Sequence, residues 1–441
     1  MYKVFFITFG CKVNQYETQC MKELFAERGF TAADSPSQAE VIVINSCTVT
    51  SSGDSRALTS LRKMRELRPD AVIALTGCYP QANAAEAVKV TGADIVCGTK
   101  DRSRLPELVL DFCEKHCRIV ELSPYAPGEP FEPLSCSRYD DNTRAFVKIQ
   151  DGCDRFCSYC LIPYARGRCR SKSIDLLREE AFRLAQSGKK EIVITGINLA
   201  FYRDPSGADM ADAAKVCAVT PGIERVRLGS LEPEMMTPDT LRRLAELPQF
   251  CPQFHLSLQS GCDRTLKAMN RRYSAEDYLS LVENIRSHFP DCSFTTDVMV
   301  GFPGETDDDH RQSMELVEKV GFAKVHVFRY SPRPGTPAAG RTDQIPEMIK
   351  SARWKEMSET AGRCREKYLS SLVGKTLPVL FERENSTEFH QGHAPDYTPI
   401  KIFRKNPEKS LRNRIISVII EEYTHDGCVG RPVNDLEYDI I

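Results

Sequence analysis

Short apolar runs alternate with helix-length amphipathic stretches along most of this 441-residue chain. That alternation is the strongest constraint on its fold, because strand, helix and parallel strand form the repeating unit of α/β architectures. In residues 1–120 the runs are Val4–Phe9, Val41–Ile44 and Ala71–Leu75. They predict a parallel-sheet α/β domain. In residues 138–345 the runs are Ala145–Ile149, Ile192–Thr195, Arg225–Leu228, Phe254–Leu258, Phe294–Val298 and Val325–Arg329. Six strands with helical spacers predict a (β/α)6 barrel that need not close. Beyond residue 373 the pattern changes: Leu377–Phe381, Ile400–Phe403 and Ile415–Ile420 read as strands between polar loops, a small all-β module. Proline-rich stretches at Glu121–Pro133 and after Tyr330 read as linkers. Between Pro346 and Gly374 lies a helical stretch with Pro at its start and Gly at its end. The expected domains are 1–130, 138–371 and 373–441.

Composition narrows the class. Lys plus Arg is 59, Asp plus Glu is 61, and the formal net charge is −2. The chain as a whole is therefore not a basic nucleic-acid binder, although a local basic patch remains open. With 41% hydrophobic residues it has the material for sizeable cores, which excludes disorder as its main state. No apolar run approaches the roughly 18–20 residues of a membrane span. Val4–Phe9 is shorter than the core of a secretory leader and is read as a strand, so a cytoplasmic protein with no membrane partner is expected.

Eighteen cysteines are many for such a chain, since disulfides are rare in the cytosol. Most stand singly and read as buried thiols. Cys113 and Cys117 flank His116 without the further ligand pair a zinc site needs. The exception is the run Asp151-Gly152-Cys153-Asp154-Arg155-Phe156-Cys157-Ser158-Tyr159-Cys160, directly after the first barrel strand. Thiolates hold iron–sulfur clusters, and a four-iron cluster normally takes four of them. Three thiolates in one tight loop leave one iron open to a substrate. The loop lies at the carboxyl end of a barrel strand, where the active sites of such barrels occur. Zinc or simple packing is the competing reading. Cys11, Cys47 and Cys78 each follow one of the three apolar runs of the first segment. Equivalent strand ends share one edge of a parallel sheet, where ligands gather. These three thiols should converge on a second cluster with one open iron, unless they are independent core cysteines.

The Cys153/Cys157/Cys160 triplet resembles the signature of the radical S-adenosylmethionine (SAM) superfamily. The resemblance implies that the amino and carboxylate groups of SAM bind the open iron and that SAM is cleaved to a 5′-deoxyadenosyl radical. Tyr159 matches the aromatic position expected near the adenine. Thr195, Gly196 and Asn198 fall where the superfamily contacts the SAM amino group. Ser230 and Glu232 follow the third barrel strand, within reach of ribose or carboxylate. Gly301 and Glu305, in Gly301-Phe302-Pro303-Gly304-Glu305, resemble the family's glycine-containing turn.

Taken together, the two triads and the β module resemble the methylthiotransferases, which join an N-terminal cluster domain to a radical SAM barrel and a small TRAM barrel. Phe6-Ile7-Thr8-Phe9-Gly10-Cys11-Lys12-Val13-Asn14-Gln15-Tyr16-Glu17 and Pro163-Tyr164-Ala165-Arg166-Gly167 look most like the branch acting on N6-threonylcarbamoyladenosine (t6A) in tRNA. Other branches act on isopentenyladenosine or on an aspartate of a ribosomal protein. The resemblance implies two [4Fe-4S] clusters and methylthiolation of adenine C2 beside the anticodon. One SAM supplies the radical and another the methyl group. Sulfur associated with the Cys11/Cys47/Cys78 cluster fills the position. An electron donor and a sulfur source are implied but not identified. Lys401, Phe403, Arg404, Lys405, Lys409, Arg412 and Arg414 form a basic stretch with one acid, Glu408. Such a stretch suits phosphate contacts and stacking with the tRNA anticodon stem-loop, although a charge run is often only a solvated loop. Arg166 and Arg168, behind the triplet, are further candidates for RNA phosphates. A reading of another class is a non-catalytic iron–sulfur RNA-binding protein, whose clusters would be closed by a fourth ligand.

Overall fold

The structure, a computed structural model, describes residues 2–139, 142–382, 386–404 and 410–434. The first sheet is wholly parallel. Its strands are β1 (Lys3–Thr8), β2 (Thr31–Ala32), β3 (Val41–Ser46), β4 (Val72–Gly77), β5 (Ile95–Cys97) and β6 (Ile119–Glu121), in the order β2-β1-β3-β4-β5-β6. β3 and β4 are buried at every position, as in sheets covered on both faces. Val41, Val43 and Ala74 pack on one face with Met21 and Phe25 of the helix Lys12–Glu27. Ile42, Ile44, Ile73 and Leu75 pack on the other with Leu61 of the helix Ser51–Leu67. The strand order reverses between β1 and β3, which leaves a crevice at their carboxyl ends. The three apolar runs of the sequence are β1, β3 and β4. β2, β5 and β6 are two or three residues long, too short to show a period.

The second unit contains β7 (Ala145–Asp151), β8 (Arg170–Ser171), β9 (Glu191–Gly196), β10 (Arg225–Leu228), β11 (Ser230–Leu231), β12 (Gln253–Leu256), β13 (Ser293–Val300) and β14 (Lys324–Arg329). Two ladders form, β10-β9-β7-β8 and β11-β12-β13-β14. β10 and β11 are separated by Gly229 alone, and a bridge from Val226 to Phe250 continues the arc. Every pairing except the short edge β7–β8 is parallel. Among the described residues no ladder joins β14 to β7, so the expected incomplete (β/α)6 barrel is open on that side. The helix Lys12–Glu27 serves this unit too: Tyr16 and Cys20 belong to the barrel's hydrophobic core. Cys20, a lone thiol in the sequence, has its Sγ 3.0 Å from that of Cys136.

The last unit is a closed barrel of β15 (Thr376–Phe381), β16 (Phe389–His393), β17 (Pro399–Phe403), β18 (Ile415–Thr424) and β19 (Gly427–Pro432), in the order β15-β16-β17-β19-β18. Its attachment is polar and specific. Arg225 donates to the carbonyls of His393 (2.9 Å) and Pro378 (2.7 Å), and Arg227 to that of Pro395 (2.7 Å). Ser293 donates to the Asp396 carbonyl at 2.6 Å. The expected helix before it runs Glu347–Ser370. Among the described residues no helix is long and apolar enough to cross a membrane.

Candidate functional site

Cys47 and Cys78 follow β3 and β4 directly and Cys11 comes three residues after the end of β1, all at the carboxyl edge of the sheet. Two glycines let the chain turn there. Gly10 has φ +98°, and a Cβ on it would lie 2.5 Å from Cys47 Cβ. Gly77 has φ +99°, and a Cβ on it would lie 2.4 Å from the Ser46 carbonyl oxygen. Side chains at these positions would force apart the loops that carry the thiols. Asn14 fastens two of the loops, donating from Nδ2 to the carbonyls of Phe9 (2.8 Å) and Ser46 (2.9 Å). Burial pushes the Cys47 thiol up to about 12, aided by Cys78 and Cys11 close by. Burial also raises Cys78, opposed by the Arg166 guanidinium, whose Nε donates to Cys78 Sγ at 3.3 Å.

Cys153, Cys157 and Cys160 lie on the loop after β7. That loop is anchored from the opposite side of the barrel. Ser158 N–H donates to the Met269 carbonyl (3.0 Å), Ala338 N–H to the Ser158 carbonyl (2.8 Å), and Asn270 Nδ2 to the Phe156 carbonyl (3.0 Å). The sulfurs accept hydrogen bonds: Cys153 from Asn198 Nδ2 (3.7 Å) and the Arg155 backbone N–H, Cys157 from Arg271 Nη1 (3.4 Å) and Cys160 from Ile162 N–H (3.4 Å). Burial raises Cys160 to about 12, with Cys157 adding repulsion. Each triad thus has one guanidinium on one sulfur, an arrangement that stabilises thiolate and tunes a bound cluster.

The two triads open on one cavity of about 810 Å³. Its walls also carry Tyr159, Thr195, Gly196, Asn198, Ser230 and Glu232, all expected from the sequence. Glu232 is held by Arg271 at 2.5 Å. Tyr159 is seated edge-on against Phe302, with centroids 6.4 Å apart. Three thiols in each group suit a four-iron cluster with one iron left free for a ligand. Among the described residues no three His, Cys, Asp or Glu side chains close on a point as a single metal ion would require.

Other expected site residues do something else in the structure. Gly301 and Glu305 do not line this cavity. Glu305 accepts from the Gly301 N–H (3.0 Å) and from Arg353 (3.0 Å), so its carboxylate ties the turn to the helix Glu347–Ser370. Phe302 of this turn seats Tyr159 in the site. Arg166, expected as a contact for RNA phosphates, is fully buried on the inner wall of the cavity. Its guanidinium donates to Glu17 at 2.7 and 3.0 Å, to Asn14 Oδ1 at 2.7 Å and to Asp151 at 3.2 Å, besides Cys78. Lys148 donates to the same Glu17 (2.8 Å) and Asp151 (2.9 Å), and Arg102 pairs with Glu17 at 3.1 Å. Burial pushes Glu17 up, but Arg102, Arg166 and Lys148 outweigh it and hold the carboxyl at about 2. Arg168 is exposed, beside Asp154 (3.1 Å) and over the Phe156 ring (4.9 Å). Phe403 is 70% exposed, and Arg412 and Arg414 are exposed too. Lys401 lies over the Phe389 ring at 4.7 Å, and Arg404 is half-buried with Nε toward His390 Nε2 at 3.4 Å. Lys405 and Lys409 lie outside the described residues.

The cavity also holds groups the sequence did not mark. Arg271, His255, Asp297, His326 and Tyr397 line it, as does Lys12, next to Cys11. Burial, with Arg144 and Arg227 nearby, lowers the Lys12 ammonium to about 8. Only Lys12 carried a local signal, its place beside a candidate ligand. The others come from distant segments that the fold brings in.

Residues 147–317 match the radical SAM superfamily model, and residues 3–98 match the uncharacterized protein family UPF0004. The chain is 39% identical over 376 residues to the threonylcarbamoyladenosine tRNA methylthiotransferase MtaB of Thermotoga maritima, covering 85% of each protein. It is 34% identical over 450 residues to MtaB of Bacillus subtilis, covering 100% of this chain and 98% of that one. A tRNA-2-methylthio-N(6)-dimethylallyladenosine synthase of Rickettsia rickettsii is 33% identical over 441 residues, covering 97% and 99%. Among solved structures, the radical S-adenosylmethionine methyltransferase TsrM of Kitasatospora setae superposes with a TM-score of 0.58 at 15% identity. That match covers 77% of this chain and 74% of TsrM, a likeness of fold.

Proposed function

The chain belongs to the radical SAM methylthiotransferases of tRNA, and on that premise we propose that it inserts a methylthio group at C2 of N6-threonylcarbamoyladenosine beside the anticodon. The observation that carries the reading is the shared cavity: both thiol triads face one space. A base placed there is within reach of radical generation on one side and a sulfur source on the other. The more similar relatives bear the threonylcarbamoyladenosine name, at 39% and 34% identity against 33% for the dimethylallyladenosine enzyme.

Cys153, Cys157 and Cys160 hold a [4Fe-4S] cluster with SAM, and we assign a second [4Fe-4S] cluster to Cys11, Cys47 and Cys78. When bound, these groups supply a 5′-deoxyadenosyl radical and an activated sulfur, chemistry that amino-acid side chains lack for an inert aromatic C–H. The protein's part is placement. Asn198 and Arg271 orient the sulfurs of one triad and Arg166 one sulfur of the other. Tyr159, Thr195, Ser230 and Glu232 line the space left for SAM. Segments 1–130, 138–371 and 373–441 act as cluster domain, barrel and RNA-binding TRAM domain. Arg168, Phe403, Arg412 and Arg414 offer exposed groups to the anticodon stem-loop. A cytoplasmic location and a separate electron donor and sulfur source complete the reading.

The test is nucleoside mass spectrometry of bulk tRNA from cells with and without the gene. Loss of the methylthio form of threonylcarbamoyladenosine, with its precursor accumulating, is expected. Loss of the isopentenyl form instead would reassign the substrate. No change in either would point to the ribosomal-protein target or to a non-catalytic role.

A further inference from the structure

Among the described residues, Lys12 has no carboxylate within ion-pairing distance, although it lines the reactive cavity. Glu191, the carboxylate whose charge reaches it, is bound through Oε1 by Arg227 at 3.0 Å. Of the two carboxylates that line the cavity, Glu232 is bound by Arg271 (2.5 Å), and Asp297 lies 3.4 Å from the His255 ring nitrogen. Lys12 is held by a ring. Tyr397, in a left-handed conformation at φ +70°, has Arg144 and Arg227 each 4.8 Å from its ring centroid and Lys12 at 5.8 Å. His393 stacks on it at 4.6 Å. The result is a half-buried ammonium beside Cys11 that lines the cavity with no ion-pair partner of its own among the described residues.

We infer that Lys12 recognises the free carboxylate of the substrate's threonylcarbamoyl group and so selects that nucleoside over one with an apolar N6 substituent. The inference rests on the proposed substrate. Only N1 and C6 separate adenine C2 from N6, so a base with C2 between the triads keeps its N6 substituent within the same cavity. A carboxylate there completes a charge-assisted hydrogen bond with the ammonium. An isopentenyl group would strip water from the same ammonium and return nothing. Tyr397, Arg144 and Arg227 are positioning residues: the ring holds the lysine stem, and the two guanidiniums repel the ammonium toward the cavity.

The test uses the cluster-loaded enzyme and two anticodon stem-loops, one with threonylcarbamoyladenosine and one with its carboxylate converted to the carboxamide. The measured quantity is the ratio of kcat/KM for acid over amide within each protein. Fold and cluster loading cancel in that ratio. The wild-type protein should prefer the acid about 10–100-fold, the usual weight of a hydrogen bond to a charged group. Lys12→Gln should bring the ratio to within about threefold of unity, and Lys12→Arg should restore part of it. Equilibrium binding of the two stem-loops should show the same collapse without turnover. A Lys12→Gln protein that keeps the wild-type ratio would overturn the assignment, as would a wild-type protein indifferent to the carboxylate. A wild-type protein inactive on both stem-loops but active on an isopentenyladenosine stem-loop would overturn the substrate reading itself.

Discussion

Replacing Glu17 with Gln should loosen the junction between the cluster domain and the barrel. Glu17 is fully buried and faces three cations: Lys148 at 2.8 Å, Arg166 at 2.7 Å and Arg102 at 3.1 Å. Its carboxyl falls from 4.5 to about 2 because those cations outweigh burial. Each pH unit of such a displacement is worth about 1.4 kcal/mol, so the ionised carboxylate contributes ~3 kcal/mol. Breaking a buried ion pair from one side costs about 3–5 kcal/mol, which agrees. The folded carboxyl lies below the unfolded one, so this stability is complete above pH 4.5 and is lost as pH falls toward 2. Thermal or urea unfolding of wild type and Glu17→Gln at pH 7 and pH 5 measures it. The gap should be ~3 kcal/mol and equal at the two pH values. A gap below ~1 kcal/mol would refute the account of the network. A gap that shrank between pH 7 and 5 would show that Glu17 titrates in that interval and is not held by its cations.

The site allows three sharper perturbations. Cys157→Ala should abolish reductive SAM cleavage, read as 5′-deoxyadenosine; persisting cleavage would remove Cys157 from the cluster. Cys47→Ala should still release 5′-deoxyadenosine yet yield no methylthiolated nucleoside by mass spectrometry. Gly10→Ala places a Cβ 2.5 Å from Cys47 Cβ at φ +98°. It should cost at least about 1–2 kcal/mol from backbone strain alone and lower the iron content of the purified protein by up to half.

What could be read from the sequence was local. β3 and β4 appear as unbroken apolar runs because they are buried on both faces, and their last residues place Cys47 and Cys78. The loop from Cys153 to Cys160 needs only its own spacing to be recognised. What could not be read depends on pairings made across the fold. Arg166 looks like a surface arginine behind the cysteine loop. It is buried where Glu17, on the helix Lys12–Glu27 of the first unit, meets it. Glu305 sits on a turn of the expected kind, yet Arg353 from the long helix takes up its carboxylate. Arg271 and Tyr397 carry no motif, and they reach the cavity because the barrel and the last module fold around it. β2, β5 and β11 span two or three residues, below the length at which alternation means anything.

Tyr397 also sets a schedule for biosynthesis. The wall it forms belongs to the last module, whereas the cysteines it shelters all lie at or before residue 160. At about 5–20 residues per second the ribosome needs roughly 10–50 s to travel from one to the other. Each of the six cysteines therefore leaves the exit tunnel at least that long before Tyr397 does, and the chamber lacks a side until then. Iron delivered then would meet solvent and oxygen. Loading of the proposed clusters is therefore best placed after chain release, when the final barrel has docked through Arg225 and Arg227.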